Sequence, residues 1–330
     1  MKNRLIDVLG PHSGHPVYTA LRQVMLHLAR EIDFEYVSLV GLKRHCLFNF
    51  RTNAAYYTPF KPERNNIYLT NTNLSCLESW KLLAQNMPMV IVDEYFERGS
   101  RIDTLAKLFF RPFRGIPFVS LTKRTHRFHV SMGIGSILIP PAKKKIQGAK
   151  KRSYVLYLGR LVDSKNPMLF LELARQFRNE KFVMIGKGQL AEKVAAIAGE
   201  LGNVKLIQFV EKSDDIYGHL ANAKLLVQPA FRDPIGFVVV EALSAQTPVL
   251  ASRGVGTSDY LPAEWIADPA NKNEWVAKTQ KILSNLEQNA RLAETTFEKE
   301  HLNIEDPYFR QAAGKLQLAL KSRWPHLTNH

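Results

Sequence analysis

Apolar positions along this 330-residue chain follow two different periods. Short continuous runs of β-branched and large apolar residues recur at intervals. Between them lie stretches in which apolar side chains return every third or fourth position. The first pattern predicts strands buried on both faces, and the second predicts helices packed against them. In the first half, strands are expected at 4–9, 34–42, 66–70, 89–92, 117–121 and 136–139. Helices are expected at 18–32, where Leu21, Val24, Met25, Leu28 and Ala29 share one face, and at 74–85, 101–110 and 126–132. In the second half, strands at 154–158, 182–185, 204–209, 225–228 and 249–251 interleave with helices at 167–178, 190–201, 214–223 and 237–246. Two more helical patterns follow at 273–289 and 307–321. Alternation of this kind predicts an α/β protein built from two doubly wound, Rossmann-like domains with a cleft between them.

The pattern breaks once, at 143–153. Lys143-Lys144-Lys145-Ile146-Gln147-Gly148-Ala149-Lys150-Lys151-Arg152 is polar, basic and without apolar periodicity, which predicts an interdomain linker. The expected division is a first domain at 1–142, the basic linker at 143–153, a second domain at 154–303, and a helical tail at 304–330 that crosses back to the first domain.

Composition adds limits. A hydrophobic content of 45% with 23% charged residues describes a soluble globular chain. No apolar run approaches the roughly 20 residues that span a bilayer. Asp7 interrupts the apolar stretch after Lys2 and Arg4, so a secretory signal is not expected. Cys46 and Cys76 lack metal-ligand spacing and form no disulfide framework, which makes the cytoplasm the expected compartment. The net charge of +15 is uneven: residues 1–150 hold 22 Lys+Arg against 10 Asp+Glu, and residues 151–330 hold 23 against 20. A surplus of 12 in the first half favours an anionic partner. Within it, Arg101, Lys107, Arg111 and Arg114 interleave with Leu108, Phe109, Phe110 and Phe113, a pattern that suits the inner face of an anionic membrane, with the aromatics inserting.

The most informative stretch begins near residue 225. Leu225-Leu226-Val227-Gln228-Pro229 reads as a strand, Ala230 to Gly236 as a polar loop, and 237–246 as a helix. Asp233 and Glu241 stand eight residues apart and can meet near the helix N-terminus, where unpaired amides and the helix dipole favour a phosphate. The backbone of Ile235, Gly236 and Phe237 would cradle it, with glycine allowing close approach. An anion site flanked by two hydroxyl-binding acids suits a nucleotide sugar. Arg160 and Lys165 flank a strand-to-helix turn and can reach a ligand at the carboxyl edge of the same sheet. Gly186-Lys187-Gly188 follows a strand but lacks the full dinucleotide fingerprint, since Ala191 takes the third glycine position; Gly186 is expected in a tight turn lining the nucleotide pocket.

These residues resemble the C-terminal domain of retaining glycosyltransferases of family 4, which have the GT-B fold. The resemblance runs over about 154–268 and, more loosely, over the first half. Leu158-Gly159-Arg160-Leu161-Val162-Asp163-Ser164-Lys165-Asn166-Pro167 matches the family's glycine-arginine strand end and following lysine. Phe209-Val210 occupies the place of the base-binding loop, and Asp233 to Glu241 matches the acidic-x7-Glu signature. The resemblance implies that Gly159, Arg160, Lys165, Gly186 and Val210 line the nucleotide-sugar site, that Glu241 holds ribose hydroxyls, and that Asp233 contacts the donor sugar. Asp233 is one methylene shorter than the family's glutamate. The loop at 10–15 matches the family's glycine-bearing loop, which places Gly14 at the donor phosphate and His12 and His15 on the acceptor side. Where many relatives have a histidine after the strand at 89–92, this chain has Asp93, an acidic substitute for sugar or acceptor.

The reaction implied is transfer of a sugar from a nucleoside-diphosphate sugar to a hydroxyl of a glycan, including a lipid-linked one, with retention and without a metal or other cofactor. Arg160, Lys165, Asp233 and Asp93 are the residues expected to carry it. No Asp-x-Asp metal motif stands in the chain. A sugar-nucleotide-binding protein of other activity, epimerase- or phosphorylase-like, is the alternative. A nucleic-acid-binding module is disfavoured, because it leaves Asp233 and Glu241 unexplained.

Overall fold

The computed structural model describes residues 4–7, 24, 35–38, 48–49, 54–55, 64, 67–71, 82–93, 111–146, 152–208 and 213–328. The chain forms two compact units, one from residues 1–141 with 305–330 and the other from 142–304.

Unit 1 is built on a six-stranded parallel sheet. Its strands are β1 (Arg4–Asp7), β2 (Glu35–Ser38), β5 (Ile67–Asn71), β6 (Met89–Asp93), β7 (Phe118–Ser120) and β8 (Ser136–Leu138), in the order β2-β1-β5-β6-β7-β8. β3 (Phe48–Asn49) and β4 (Ala54–Ala55) pair as a separate antiparallel hairpin. Met89, Val90, Ile91 and Phe118 are fully buried, as strands covered on both faces require. α1 (Lys123–Ser131) starts three residues earlier than its apolar spacing predicts, because Thr122 caps it by accepting from the Thr125 amide at 3.2 Å.

Unit 2 has a second parallel sheet, of β9 (Tyr154–Leu158), β10 (Phe182–Ile185), β11 (Val204–Ile207), β12 (Ala223–Gln228), β13 (Val249–Ser252) and β14 (Ile266–Ala267). Its order is β11-β10-β9-β12-β13-β14. This is the doubly wound order in which the first strand is flanked by the second and the fourth, so the connections diverge between β9 and β12 and open a crevice at their carboxyl ends. α2 (Pro167–Gln176), α3 (Ala191–Leu201), α4 (Ser213–Ala221), α5 (Phe237–Ser244), α6 (Lys272–Ser284) and α7 (Leu286–Lys299) complete the unit. The single helix expected at 273–289 is two: Asn285, at φ −129° and ψ 47°, leaves the helical region between α6 and α7. Asn289 side-chain atoms then bond the Ile282 carbonyl at 3.2 Å and the Trp265 indole at 3.1 Å, which holds the corner.

α8 (Tyr308–Arg323) returns to unit 1, where the Tyr308 hydroxyl donates to the Leu138 carbonyl at 2.6 Å and the Trp324 indole donates to the Asn86 carbonyl at 3.3 Å. No helix of the described residues is long and apolar enough to cross a membrane.

Where it is described, the segment expected as the basic interdomain linker is bonded to unit 2. The Lys143 amide donates to the Leu302 carbonyl at 2.8 Å and its own carbonyl accepts from Ile304 at 3.0 Å, while the Ile146 amide donates to Ser244 at 2.7 Å. Lys145 pairs with Glu294 and Glu298, both at 2.9 Å. Arg152 donates to the carbonyls of Ala221, Ala223, Ala245 and Gln246 and to the Thr247 hydroxyl, tying together the ends of α4, α5 and β12. The segment's charges thus serve as local fasteners on unit 2. Replacing Arg152 by Met is expected to destabilise unit 2 by about 2–4 kcal/mol, because several half-buried carbonyls lose their donor together. Chemical denaturation followed by tryptophan fluorescence would measure it.

Candidate functional site

The carboxyl ends of β9 and β12 assemble most of the residues singled out from the sequence. β9 ends at Leu158 and is followed by Gly159 and Arg160. The turn is held from below: the buried Tyr157 hydroxyl donates to the Arg160 carbonyl at 2.8 Å. Burial, and next the negative charge of Asp233, push the Tyr157 phenol well above its usual range, so it stays a neutral donor. The Arg160 side chain is exposed and has no hydrogen-bond or ion-pair partner among the described residues. A 3-10 turn over Asp163–Lys165 and a left-handed Asn166 (φ 52°) then lead into α2, with Pro167 in its first turn.

Lys165 and Asp233, expected to act separately, form one ion pair: Nζ lies 2.6 Å from Oδ2, at side-chain exposures of 13% and 16%. Gln228, at the end of β12 and 2% exposed, donates to the same oxygen at 3.4 Å. Asp233 is therefore pinned through Oδ2, and Oδ1 has no protein partner among the described residues. Gln228 Oε1 is buried and has no hydrogen-bond partner among the described residues. In the sequence Gln228 is the last residue of the expected strand 225–228, and a polar side chain after Leu225, Leu226 and Val227 at the carboxyl edge is the available signal.

The loop between β12 and α5 is rigidly seated. Asp233 bridges Val255, donating to Gly254 at 2.9 Å and accepting from Gly256 at 2.9 Å, and the Arg232 amide donates to Ser164 at 3.2 Å. Gly236 precedes α5 at φ 77°, a left-handed conformation, and a Cβ there would overlap the Val255 side chain, so both backbone and space require glycine. Thr257 fixes the carbonyls on the far side, its amide bonding Ile235 at 2.7 Å and its hydroxyl bonding Gly236 at 2.8 Å. The amides of Ile235, Gly236, Phe237 and Val238 donate to no acceptor among the described residues. This leaves a row of backbone donors at a helix N-terminus, with two acids and two cations placed on the surrounding elements.

Glu241, one turn into α5, is not a free carboxylate. Its Oε1 lies 2.9 Å from Lys143 Nζ, at exposures of 19% and 5%. In the sequence Lys143 falls in the expected linker, and no local feature marks it as a partner of Glu241.

Gly186 is explained by packing. A Cβ at this position would overlap the Gly159 carbonyl oxygen, so glycine lets the ends of β9 and β10 close together. Gly159 itself meets nothing tighter than ordinary contact with Tyr157. Beside the Asp163–Lys165 turn lies a concavity of about 450 Å³, lined by Asp163, Ser164, Asn166, Met168, Leu190 and an exposed Phe231.

Val210 lies outside the described residues, as do Gly14, His12 and His15. Asp93 closes β6 in register with Ser120, and its side chain lies outside what is described. Of the basic-aromatic stretch, 101–110 lies outside as well. Phe113 is fully buried and packs edge-on against Phe118, with centroids 6.5 Å apart, so this ring belongs to the core of unit 1 and is not available for membrane insertion.

Two doubly wound α/β units, the second with a row of open amides at a helix start beside its crevice, are the class of fold these features define. Residues 140–299, nearly all of unit 2, match the family model described as Glycosyl transferases group 1. The chain is 22% identical over 174 residues to the lipopolysaccharide core biosynthesis glycosyltransferase LpsE of Rhizobium meliloti, covering 52% of this chain and 50% of that protein. It is 23% identical over 146 residues to the sulfoquinovosyl transferase SQD2 of Arabidopsis thaliana, covering 42% and 28%. The chain thus spans half or less of the length of these curated relatives. Among solved structures, it is similar to the sucrose-phosphate synthase of Thermosynechococcus elongatus, with TM-score 0.71, 13% identity, and 98% and 100% of the two chains covered. It is also similar to Anabaena HepE in complex with UDP and glucose, with TM-score 0.67, 12% identity, and 96% and 99% covered. These likenesses show the GT-B fold.

Proposed function

We propose that this chain transfers a hexosyl group from a nucleoside-diphosphate sugar to a hydroxyl of a glycan acceptor, with retention at the anomeric carbon, as a family 4 glycosyltransferase. One observation carries this reading. At the carboxyl ends of β9 and β12, Arg160 has no side-chain partner among the described residues, the Lys165–Asp233 pair joins the two following loops, and Glu241 lies one turn into α5, whose opening amides meet no acceptor among the described residues. Such a set suits a diphosphate bearing a ribose on one side and a sugar on the other.

The chemistry follows from the charges. The bond between the anomeric carbon and the phosphate oxygen breaks, and the electron pair leaves with the diphosphate. Arg160, Lys165 and the α5 amides stabilise the charge that develops there, and they act more strongly on the transition state than on the bound donor. The acceptor hydroxyl attacks the same face, and its proton passes to the departing phosphate oxygen. Asp233, held by Lys165 and Gln228 through one oxygen, keeps Oδ1 for a hydroxyl of the transferred sugar. Glu241 keeps Oε2 for the ribose. The concavity beside Phe231 adjoins this loop and has room for a sugar ring. On this reading the cations and amides take the place of a metal, so transfer continues in excess EDTA. The surplus of 12 positive charges in residues 1–150 suits an anionic acceptor, such as a phosphate-bearing or lipid-linked glycan on the inner membrane face.

The reading is tested by thermal shift against UDP-, GDP-, ADP- and TDP-sugars, followed by product analysis. One donor class should raise the melting temperature at concentrations above its Kd, by mass action. Product formed from that donor should keep the donor's anomeric configuration. Absence of any response across the panel, with the chain folded, would overturn the reading.

A further inference from the structure

We propose that Lys143 is a positioning residue of the donor site, one that orients Glu241 for the ribose of the donor. The inference rests on the reading of Glu241 as the ribose acid and adds a residue to it.

Lys143 is 5% exposed and its ammonium lies 2.9 Å from Glu241 Oε1. A lysine this deeply placed is uncommon unless it is paired. Its position is fixed on both sides. Its backbone forms an isolated parallel bridge with Asn303, through the bonds to Leu302 and Ile304, and three residues on the Ile146 amide is bonded to Ser244 at the end of α5. The first segment of unit 2 is thus clamped between the turn after α7 and the helix that carries Glu241. The ammonium cannot follow a mobile carboxylate; the carboxylate is held where the ammonium stands. This fixes one Glu241 oxygen and leaves Oε2 without a protein partner among the described residues. A glutamate anchored through one oxygen presents the other in a defined direction, as ligand-orienting partners outside a site commonly do.

The test is a double-mutant cycle with two probes. Wild type, Lys143→Met, Glu241→Gln and the double variant are titrated calorimetrically with whichever of UDP, GDP or ADP binds the wild type, and with its 2′,3′-dideoxy analogue. Lys143→Met is expected to weaken the ribonucleoside diphosphate about tenfold or more, the scale of a lost charge-assisted hydrogen bond, while affinity for the dideoxy analogue stays within about twofold. Adding Lys143→Met to Glu241→Gln should cost little more than Glu241→Gln alone, since both act through one contact. Lys143→Arg should recover part of the loss, and this conservative variant covers the case in which Lys143→Met fails to fold. The inference is overturned if Lys143→Met and Lys143→Arg bind the ribonucleotide as wild type does, or if they lose ribo and dideoxy probes equally. If Glu241→Gln itself binds the ribonucleotide normally, the ribose assignment of Glu241 fails first.

Discussion

Replacing Arg160 by Ala is expected to lower kcat/KM for the donor by about 10²–10³-fold while leaving the melting temperature within roughly one degree of wild type. The two halves of this expectation have separate causes. Arg160 is exposed and makes no ion pair or side-chain hydrogen bond among the described residues, and surface changes of that kind usually shift stability by no more than about 0.5 kcal/mol. Its backbone is held independently, by the Tyr157 hydroxyl on its carbonyl, so the turn should survive truncation of the side chain. The catalytic loss follows because a fixed cation aimed at a leaving diphosphate stabilises charge that appears only as the bond breaks. Arg160→Lys should recover only part of the rate, since a point charge cannot grip two phosphate oxygens at once. Steady-state kinetics beside differential scanning calorimetry decide it. Unimpaired turnover in the alanine variant would remove Arg160 from the mechanism.

Gly186→Ala is expected to damage stability and the site together. The added methyl would overlap the Gly159 carbonyl, a backbone atom that cannot swing aside as a side chain can. Gly159 is itself tied to β10, its amide donating to Ile185 at 3.0 Å, and the Gly186 amide donates to Ile207 at 3.0 Å. Relief therefore requires the ends of neighbouring strands to part, an overpacking penalty of about 1–3 kcal/mol. For a domain of this size that corresponds to a fall of roughly 3–10 °C in melting temperature. The displaced Gly159 carries Arg160 with it, so affinity for a nucleoside diphosphate should fall as well, even though Gly186 need not touch the ligand. Calorimetry and nucleotide titration on the purified variant measure both. A variant as stable as wild type would show that the two glycines do not approach as closely as described.

The contrast between these two positions separates what was legible in the chain from what was not. Arg160, Lys165, Asp233 and Glu241 could each be picked out by residue type and spacing, because a strand end followed by a cation, and a loop acid followed by a helix acid, are local patterns. Gly186 could be seen but not understood. Its meaning lies in the carbonyl of Gly159, 27 positions earlier, and closeness of that kind is set by sheet order. Gln228 stands out only as a polar strand end and Lys143 only as part of a basic stretch, since nothing local marks one as a partner of Asp233 or the other as a partner of Glu241. The break at Asn285 was invisible for a related reason: apolar spacing runs through it, and the corner is held by contacts of Asn289 to Trp265 and Ile282.

The sequence by itself determined the alternation of strands and helices, the parallel character of both sheets, and the residue types at the crevice, because burial on both faces and the start of a helix leave their marks within a few neighbouring positions. Tertiary structure alone decided how the charges are used. Lys165 is committed to Asp233, Lys143 to Glu241, and Arg160 has no side-chain partner among the described residues. An ion pair needs only that two side chains end within a few ångströms, and the separations bridged here, 68 positions in one case and 98 in the other, are closed by the winding of the sheet and by no feature of the intervening chain.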